Sequence, residues 1–427
     1  MTAQAPLAPT LSEDTRTPMH RFQRALLLAT LLPAALLAAT GIAAAGQPDF
    51  SAQERRKILS LGPWPPPFAP DPSNRASGNA TAIALGARLF FDARLSPSGD
   101  VACASCHQPD RNWSDGKARA HGLADLPRNT PALANPRLQR WFGWGGGADS
   151  LWMASLRPLL DPREFDSDAA TVARVYARDS DLSCLYRRTF GQAPTGSRVD
   201  HDTVLVNTAK ALAAFQETLA TGRTPFDEFR DALERGDDAA AARYPAAAQR
   251  GLQIFIGRGN CIACHNGPNF SNGEFADIGI PYFTAPGKVD AGRHHDLQAL
   301  RASPHNLLGR HSDDTGRSSA RATRHAALEP RHWGEFKVPS LRNVDVSAPY
   351  MHNGSIPTLR DVVLHYSTLD DSRIHASAQP LLRALRLSES EVDALLAFLQ
   401  TLTDARGADR PRPPAAARCE PATAQDR

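Results

Sequence analysis

Methionine is scarce in this chain: there are four in 427 residues, and two of them, Met1 and Met19, fall within the first twenty. Only Met153 and Met351 remain for any role that needs a thioether, so a pair of Met-ligated metal centres is almost excluded by counting. Neither sign of charge dominates, since 48 Lys and Arg face 45 Asp and Glu. With no basic stripe interleaved with aromatics, nucleic acid is set aside as a partner. After Gly46 no apolar run is long enough to cross a bilayer. No sustained alternation of apolar and polar residues marks a strand, which leaves a mainly α fold. Proline is the opposite case, with 34 residues against a usual share of about 5%. Scattered rather than repeated, these prolines read as rigid turns in a loop-rich fold.

Arg21 and Arg24 precede an uncharged apolar stretch, Ala25 to Ile42, that ends in Ala43-Ala44-Ala45. A positive segment, an apolar segment and small residues before a cleavage point make a secretory signal of residues 1–45. An uncleaved membrane anchor is the alternative, because about 18 apolar residues is the lower edge of a span. Either way the rest of the chain is exported, and cleavage would leave no stable membrane insertion.

Six cysteines stand at 103, 106, 184, 261, 264 and 419. In an exported protein a disulfide framework is the default. The spacing argues otherwise. Cys103-Ala-Ser-Cys106-His107 and Cys261-Ile-Ala-Cys264-His265 are both C-x-x-C-H, for which composition predicts only about 0.003 chance occurrences. Two thiols a helical turn apart can add to the two vinyl groups of one haem, and the adjacent His then addresses the iron. A zinc site needs further paired ligands to close a tetrahedron, and a redox dithiol needs no neighbouring His. The motifs therefore predict two covalently bound haem c groups. Cys184 and Cys419 are left over. They could pair, but the Pro/Ala/Arg-rich tail that holds Cys419 reads as disordered, which argues against a bridge.

The two motifs share their surroundings. Gly86-Ala-Arg-Leu-Phe90 precedes the first and Gly251-Leu-Gln-Ile-Phe255 the second; Trp113-Ser-Asp-Gly116 follows one and Phe270-Ser-Asn-Gly273 the other. Such a long-period repeat implies two related c-type cytochrome-like domains, 80–220 and 221–405, after a Pro-rich segment 46–79 and before a disordered tail 406–427. Between the motifs, Val204, Ala211, Leu212, Phe215 and Leu219 share one helical face, and Phe226, Phe229 and Leu233 mark a shorter helix. Ser388-Glu-Ser-Glu391 is a capping box that opens a terminal amphipathic helix. The stretch 272–336 is too long for a mere connection, so it is expected to wrap the second haem or cover a docking face.

Taken in order, several segments resemble the di-haem bacterial cytochrome c peroxidases, and within them the MauG-like branch. They are Leu89 to Leu95, Cys103 to His107, Arg128-Asn-Thr-Pro131, Phe142-Gly-Trp144 with Asp149-Ser-Leu151, Asp161-Pro-Arg-Glu164, Cys261 to His265, Val338 to Asn343, and Ala348 to Gly354. The resemblance covers nearly all of residues 80–400. It implies a periplasmic enzyme whose N-terminal haem, bound by His107, reduces hydrogen peroxide. Glu164 would shuttle the proton that makes the leaving oxygen water, and Pro158 would line the same pocket. Where the family usually has Gln, ten residues before that Glu, this chain has Ala154. Trp144 matches the tryptophan between the haems, but the family's Trp-Asp-Gly-Arg becomes Trp144-Gly-Gly-Gly147.

At the second haem, His265 would be one axial ligand. The position fourteen residues after His352 is Tyr366, where peroxidases proper have Met and MauG-like proteins have tyrosine. A phenolate is a hard anionic donor that favours oxidised iron; His365 and Met351 are the alternatives. His121 matches the distal His that closes the first iron in peroxidases proper, and reads equally as an exposed loop residue. Asn129 and the carbonyls of Ser347 and Pro349 match an inter-domain calcium site. The resemblance implies as partner a small cytochrome or cupredoxin that donates electrons, or a protein substrate oxidised at Trp or Tyr, with a homodimer left open. The resemblance to the MauG-like branch implies an exit to a protein substrate through a Trp two residues before the second motif; here Gly259 stands there, leaving Trp113, Trp141, Trp152 and Trp333 as unranked exits. A non-enzymatic di-haem carrier is the competing reading; it would need two closed haems and no distal acid.

Overall fold

The computed structural model describes residues 50–404, apart from 282, 286, 371, 373 and 375–381, together with Cys419. The signal segment 1–45 lies outside the described residues, as does all of the tail but Cys419. Leaving aside helical turns of five residues or fewer, the helices run α1 Ala52–Leu59, α2 Ala80–Phe90, α3 Leu151–Leu160, α4 Ala169–Arg178, α5 Ser180–Phe190, α6 His201–Gln216, α7 Pro225–Arg235, α8 Ala246–Ile256, α9 Arg293–Ala302, α10 Leu359–Ser367 and α11 Glu389–Gln400. Among the described residues strand is confined to short pieces: β1 Phe275–Ala276 pairs antiparallel with β4 Phe336–Lys337, and β2 Phe283–Ala285 with β3 Lys288–Val289. The mainly α expectation holds, and no helix among the described residues is long and apolar enough to cross a membrane.

Two hydrophobic cores form around two equivalent helix crossings. In the first, α2 crosses α6 so closely that a Cβ on Gly86 would lie 1.9 Å from the Ala211 carbonyl oxygen. In the second, α8 crosses α11, and a Cβ on Gly251 would lie 1.9 Å from the Ala394 carbonyl oxygen. Only hydrogen fits at either point, which is why both copies of the repeat carry glycine in a helix that would otherwise favour alanine. Leu85, Leu89, Phe90, Trp152, Tyr176, Leu212 and Phe215 fill the first core. Phe226, Phe229, Leu252, Phe255, Phe270, Leu395 and Phe398 fill the second, joined by Ile58 and Leu61 from α1 and the turn after it.

Helix α6 departs from the one-sided reading. Every residue from Val204 to Gln216 is buried, polar ones included. The buried polar groups are satisfied internally: Thr208 meets the Tyr176 hydroxyl at 2.9 Å, Asn207 donates to Tyr186 at 2.8 Å, and Gln216 donates to Ser155 at 2.8 Å. The capping boxes at Thr224/Asp227 and Ser388/Glu391 both form, opening α7 and α11.

One expectation is corrected. Cys184 of α5 and Cys419 form a disulfide, with Cα atoms 6.1 Å apart. Composition argued against it, but pairing needs only that one residue of the tail reach α5, where the Cys419 N–H also meets the Asp181 carboxylate at 3.3 Å. The stretch 272–336 also packs on the first core. Leu297 and Leu300 of α9 enter the first core, and Asp149 holds the Leu307 N–H at 2.9 Å and the Thr323 hydroxyl at 2.7 Å.

Candidate functional site

Each C-x-x-C-H segment is followed by an aromatic residue held at positive φ: Trp113 at 60° and Phe270 at 50°. Bulky residues rarely adopt that conformation. Here it turns a backbone carbonyl onto the neighbouring histidine. His107 Nδ1 lies 3.0 Å from the Trp113 oxygen, and His265 Nδ1 3.0 Å from the Phe270 oxygen. A carbonyl can only accept, so Nδ1 carries the hydrogen in both rings and the lone pair is on Nε2. Burial pushes both imidazoles below their ordinary value, which keeps them neutral. Cys103, Cys106, Cys261 and Cys264 enter no disulfide. Two thiols beside a neutral, oriented imidazole, twice over, are a donor set that fits two c-type haems.

The first motif opens on a cavity of about 750 Å³. Cys103, Cys106 and His107 line it together with Glu164, Pro158, Ala154 and Trp144. So do Asn129, Ser347, Pro349 and Met351, bringing the calcium candidates and the first motif to one space. Glu164 follows α3, whose last turn carries Pro158, and its backbone is pressed against Gly122, where a Cβ would lie 2.7 Å from the Glu164 Cα. Burial, reinforced by Asp161, raises the Glu164 carboxyl to about 7 in spite of Arg157 and Arg163.

His121 is turned away from this space. Ala120 and Gly122 on either side line the cavity, while its own ring pairs with Asp125 at 2.7 Å on the surface. Trp144 donates Nε1–H to the Asn129 carbonyl at 2.8 Å, and its own carbonyl accepts from Lys337 N–H at 2.7 Å. Tyr366 on α10 lies beside the second motif; burial pushes its hydroxyl well up, with Cys261 and Cys264 adding in the same sense. Its neighbour His365 has Nε2 engaged by the Ile278 carbonyl at 2.8 Å. Of the four exit candidates, Trp113, Trp141 and Trp152 are buried and Trp333 is 37% exposed.

The glycines after Trp144 leave room for charges from elsewhere. A Cβ on Gly145 would lie 2.5 Å from an Asp296 carboxylate oxygen, and one on Gly147 2.3 Å from an Arg157 guanidinium nitrogen. A carboxylate beside position 145 and a guanidinium beside 147 restore the signs of the Asp and Arg that the resemblance expects there. Asp296 is held low against burial by His295 and by Arg128, whose guanidinium also binds Asp290. Sequence reading missed Asp296 and Arg157, because nothing local links either of them to Trp144.

A family model described as di-haem cytochrome c peroxidase matches residues 80–235, and one described as RoxA-like, cytochrome c-like matches residues 336–368. Methylamine utilization protein MauG of Methylorubrum extorquens is 34% identical over 371 residues, 86% of this chain and 88% of that protein. Cytochrome-c peroxidase IdrP2 of Pseudomonas sp. (strain SCT) is 30% identical over 395 residues, 90% of this chain and 94% of that protein. Among solved structures, the diheme peroxidase BthA from Burkholderia thailandensis E264 superposes with a TM-score of 0.61 at 25% identity, over 82% of this chain and 92% of that one. A MauG-like protein associated with microbial copper homeostasis does so with a TM-score of 0.59 at 27% identity, over 81% and 96%.

Proposed function

This chain belongs to the di-haem cytochrome c peroxidase family, MauG proteins among its members, and on that footing we propose that it reduces hydrogen peroxide at a first haem with electrons relayed through a second. It is an oxidoreductase of haem c chemistry. In this reading Cys103, Cys106 and His107 hold the peroxidatic haem within 80–220. Cys261, Cys264 and His265 would hold the electron-transfer haem within 221–405, with Tyr366, buried beside the motif, as a further residue able to hold its iron. When bound, haem supplies an iron that takes peroxide and accepts oxidising equivalents.

Glu164 is the observation that carries the reading. A carboxyl raised to about 7 beside the first motif can exchange a proton in either direction near neutral pH. As carboxylate it takes a proton from hydrogen peroxide; as acid it returns that proton to the departing oxygen, which leaves as water. Ala154 offers no hydrogen-bond donor, so solvent takes that role, and Pro158 keeps the adjoining wall apolar. Trp144 carries oxidising equivalents between the two attachment sites. Asn129 with the Ser347 and Pro349 carbonyls would hold a calcium ion, whose preference for oxygen this set meets. Since the His121 ring faces Asp125, His107 and not His121 would hold the first haem's iron. Export through residues 1–45 would deliver the enzyme to the periplasm, where a small cytochrome or cupredoxin donates electrons.

Tyr366 favours a second reading of the electron source. Were Tyr366 to hold its iron as phenolate, oxidised iron would be stabilised and the second haem would be a poor acceptor from an ordinary cytochrome. The reductant would then be Trp or Tyr side chains of a partner protein, with exposed Trp333 as the exit in place of Gly259.

One equivalent of hydrogen peroxide added to the as-purified diferric protein tests the proposal. Rapid loss of both ferric EPR signals without reductant is expected. A protein that stays inert until reduced by one electron would instead mean that His121 closes the site, and inertness in both states would leave only an electron carrier.

A further inference from the structure

Away from the haem motifs, the segment 303–311 crosses the first turn of α6 and sets His305 and His311 beside Asp202. We propose that Asp202, His305 and His311 form a binding site for a borderline divalent cation of the zinc class, stapling this segment to α6.

The three donor atoms all lie within 4.8 Å of one another. His311 Nε2 is 3.1 Å from Asp202 Oδ2, and His305 Nε2 is 3.7 Å from Asp202 Oδ1. Donors bound tetrahedrally to zinc at about 2.1 Å are roughly 3.4 Å apart, so the two distances straddle the spacing that such an ion imposes. Small side-chain rotations bring both pairs to it. The imidazoles stack with centroids 5.3 Å apart at 27°, so neither blocks the other's approach. Both rings are largely covered, at 16% and 10% side-chain exposure, whereas Asp202 is 36% exposed. One side is thus open for water as a fourth ligand. Two imidazoles and one carboxylate suit zinc-class ions rather than calcium or magnesium, which take oxygen.

A cationic group already occupies this place. Arg310 donates to Asp202 Oδ2 at 2.7 Å and through Nε to His311 Nε2 at 3.1 Å. The second bond requires a lone pair on Nε2, which is the form that ligates a metal. The Arg310 side chain is 72% exposed and can leave for solvent at little cost. The site's backbone is fixed independently of it: the buried Lys210 ammonium of α6 binds the His311 carbonyl at 2.6 Å and Asp313 at 2.5 Å.

Calorimetric titration of the EDTA-washed holoprotein with zinc, in millimolar calcium, tests the proposal. One zinc per chain is expected beyond any site shared with the variants. Its affinity should fall at least tenfold in His305→Ala and in Asp202→Asn, each checked for native haem spectra, and should rise in Arg310→Ala, which removes a competing cation from the surface. No saturable binding up to 100 µM zinc, or binding that all three variants leave unchanged, would overturn it.

Discussion

Trp144 donates its indole N–H to the carbonyl of Asn129 at 2.8 Å. Its own carbonyl accepts from Lys337 N–H at 2.7 Å. Asn129 stands two residues before Pro131, whose carbonyl lies against His107, and Lys337 two residues before Pro339, whose carbonyl lies against His265. The tryptophan is therefore strung between equivalent segments of the two repeats, one bonded to its ring and the other to its backbone.

Replacing Trp144 by Phe keeps an aromatic ring and removes the N–H. A hydrogen bond to a group that becomes charged is worth about 1.5–3 kcal/mol. Transfer between the haems should slow on the order of tenfold to a hundredfold, while the first ferric signal still disappears on peroxide addition. Rapid-freeze EPR that follows the two signals separately checks this.

Gly86→Ala and Gly251→Ala should each cost about 1–3 kcal/mol, because the added methyl must push a helix backbone aside. The loss should be similar in the two variants, since both meet a carbonyl oxygen at the same 1.9 Å. Guanidinium unfolding midpoints measure it.

Gly145→Asp, which restores the residue type that the resemblance expects, should destabilise the protein by setting a second carboxylate on Asp296. Removing Asp296 in the same chain should relieve the damage, with a coupling of about 1 kcal/mol or more. Strict additivity in the double-mutant cycle would mean that the two positions do not share one charge.

Burial raises the carboxyl of Glu217, which accepts from Ser77 at 2.7 Å, from 4.5 to about 7. The folded state thus holds a proton that the unfolded chain releases, so this group's contribution is complete below about pH 4.5 and is lost as pH rises to about 7. Glu217→Gln should match the parent at pH 4 and exceed it in denaturant midpoint at pH 8.

The paired C-x-x-C-H motifs are legible because each is local, and the helices are legible where apolar spacing is regular, as at Phe226 and Phe229 or in the capped α11. The glycine repeat was visible as similarity, but its cause was not, because Gly86 meets Ala211 and Gly251 meets Ala394 far along the chain. Helix α6 read as one-sided because its buried Asn207, Thr208 and Gln216 look like surface residues until their partners are known. Asp296 and Arg157 reach the Trp144 glycines only through tertiary packing. Cys419 was misjudged because composition describes a segment on average, whereas one bonded residue suffices for a bridge.

The central claim is that Glu164 moves the peroxide proton, and stopped-flow reaction of the diferric protein with hydrogen peroxide from pH 5 to 9, for the parent and for Glu164→Gln, tests it most directly. The parent rate constant should rise with pH through about 7 as the carboxyl ionises. The variant should be slower by about 10²–10⁴-fold and lose that dependence. A variant that reacts at the parent rate with the same pH profile would contradict the assignment.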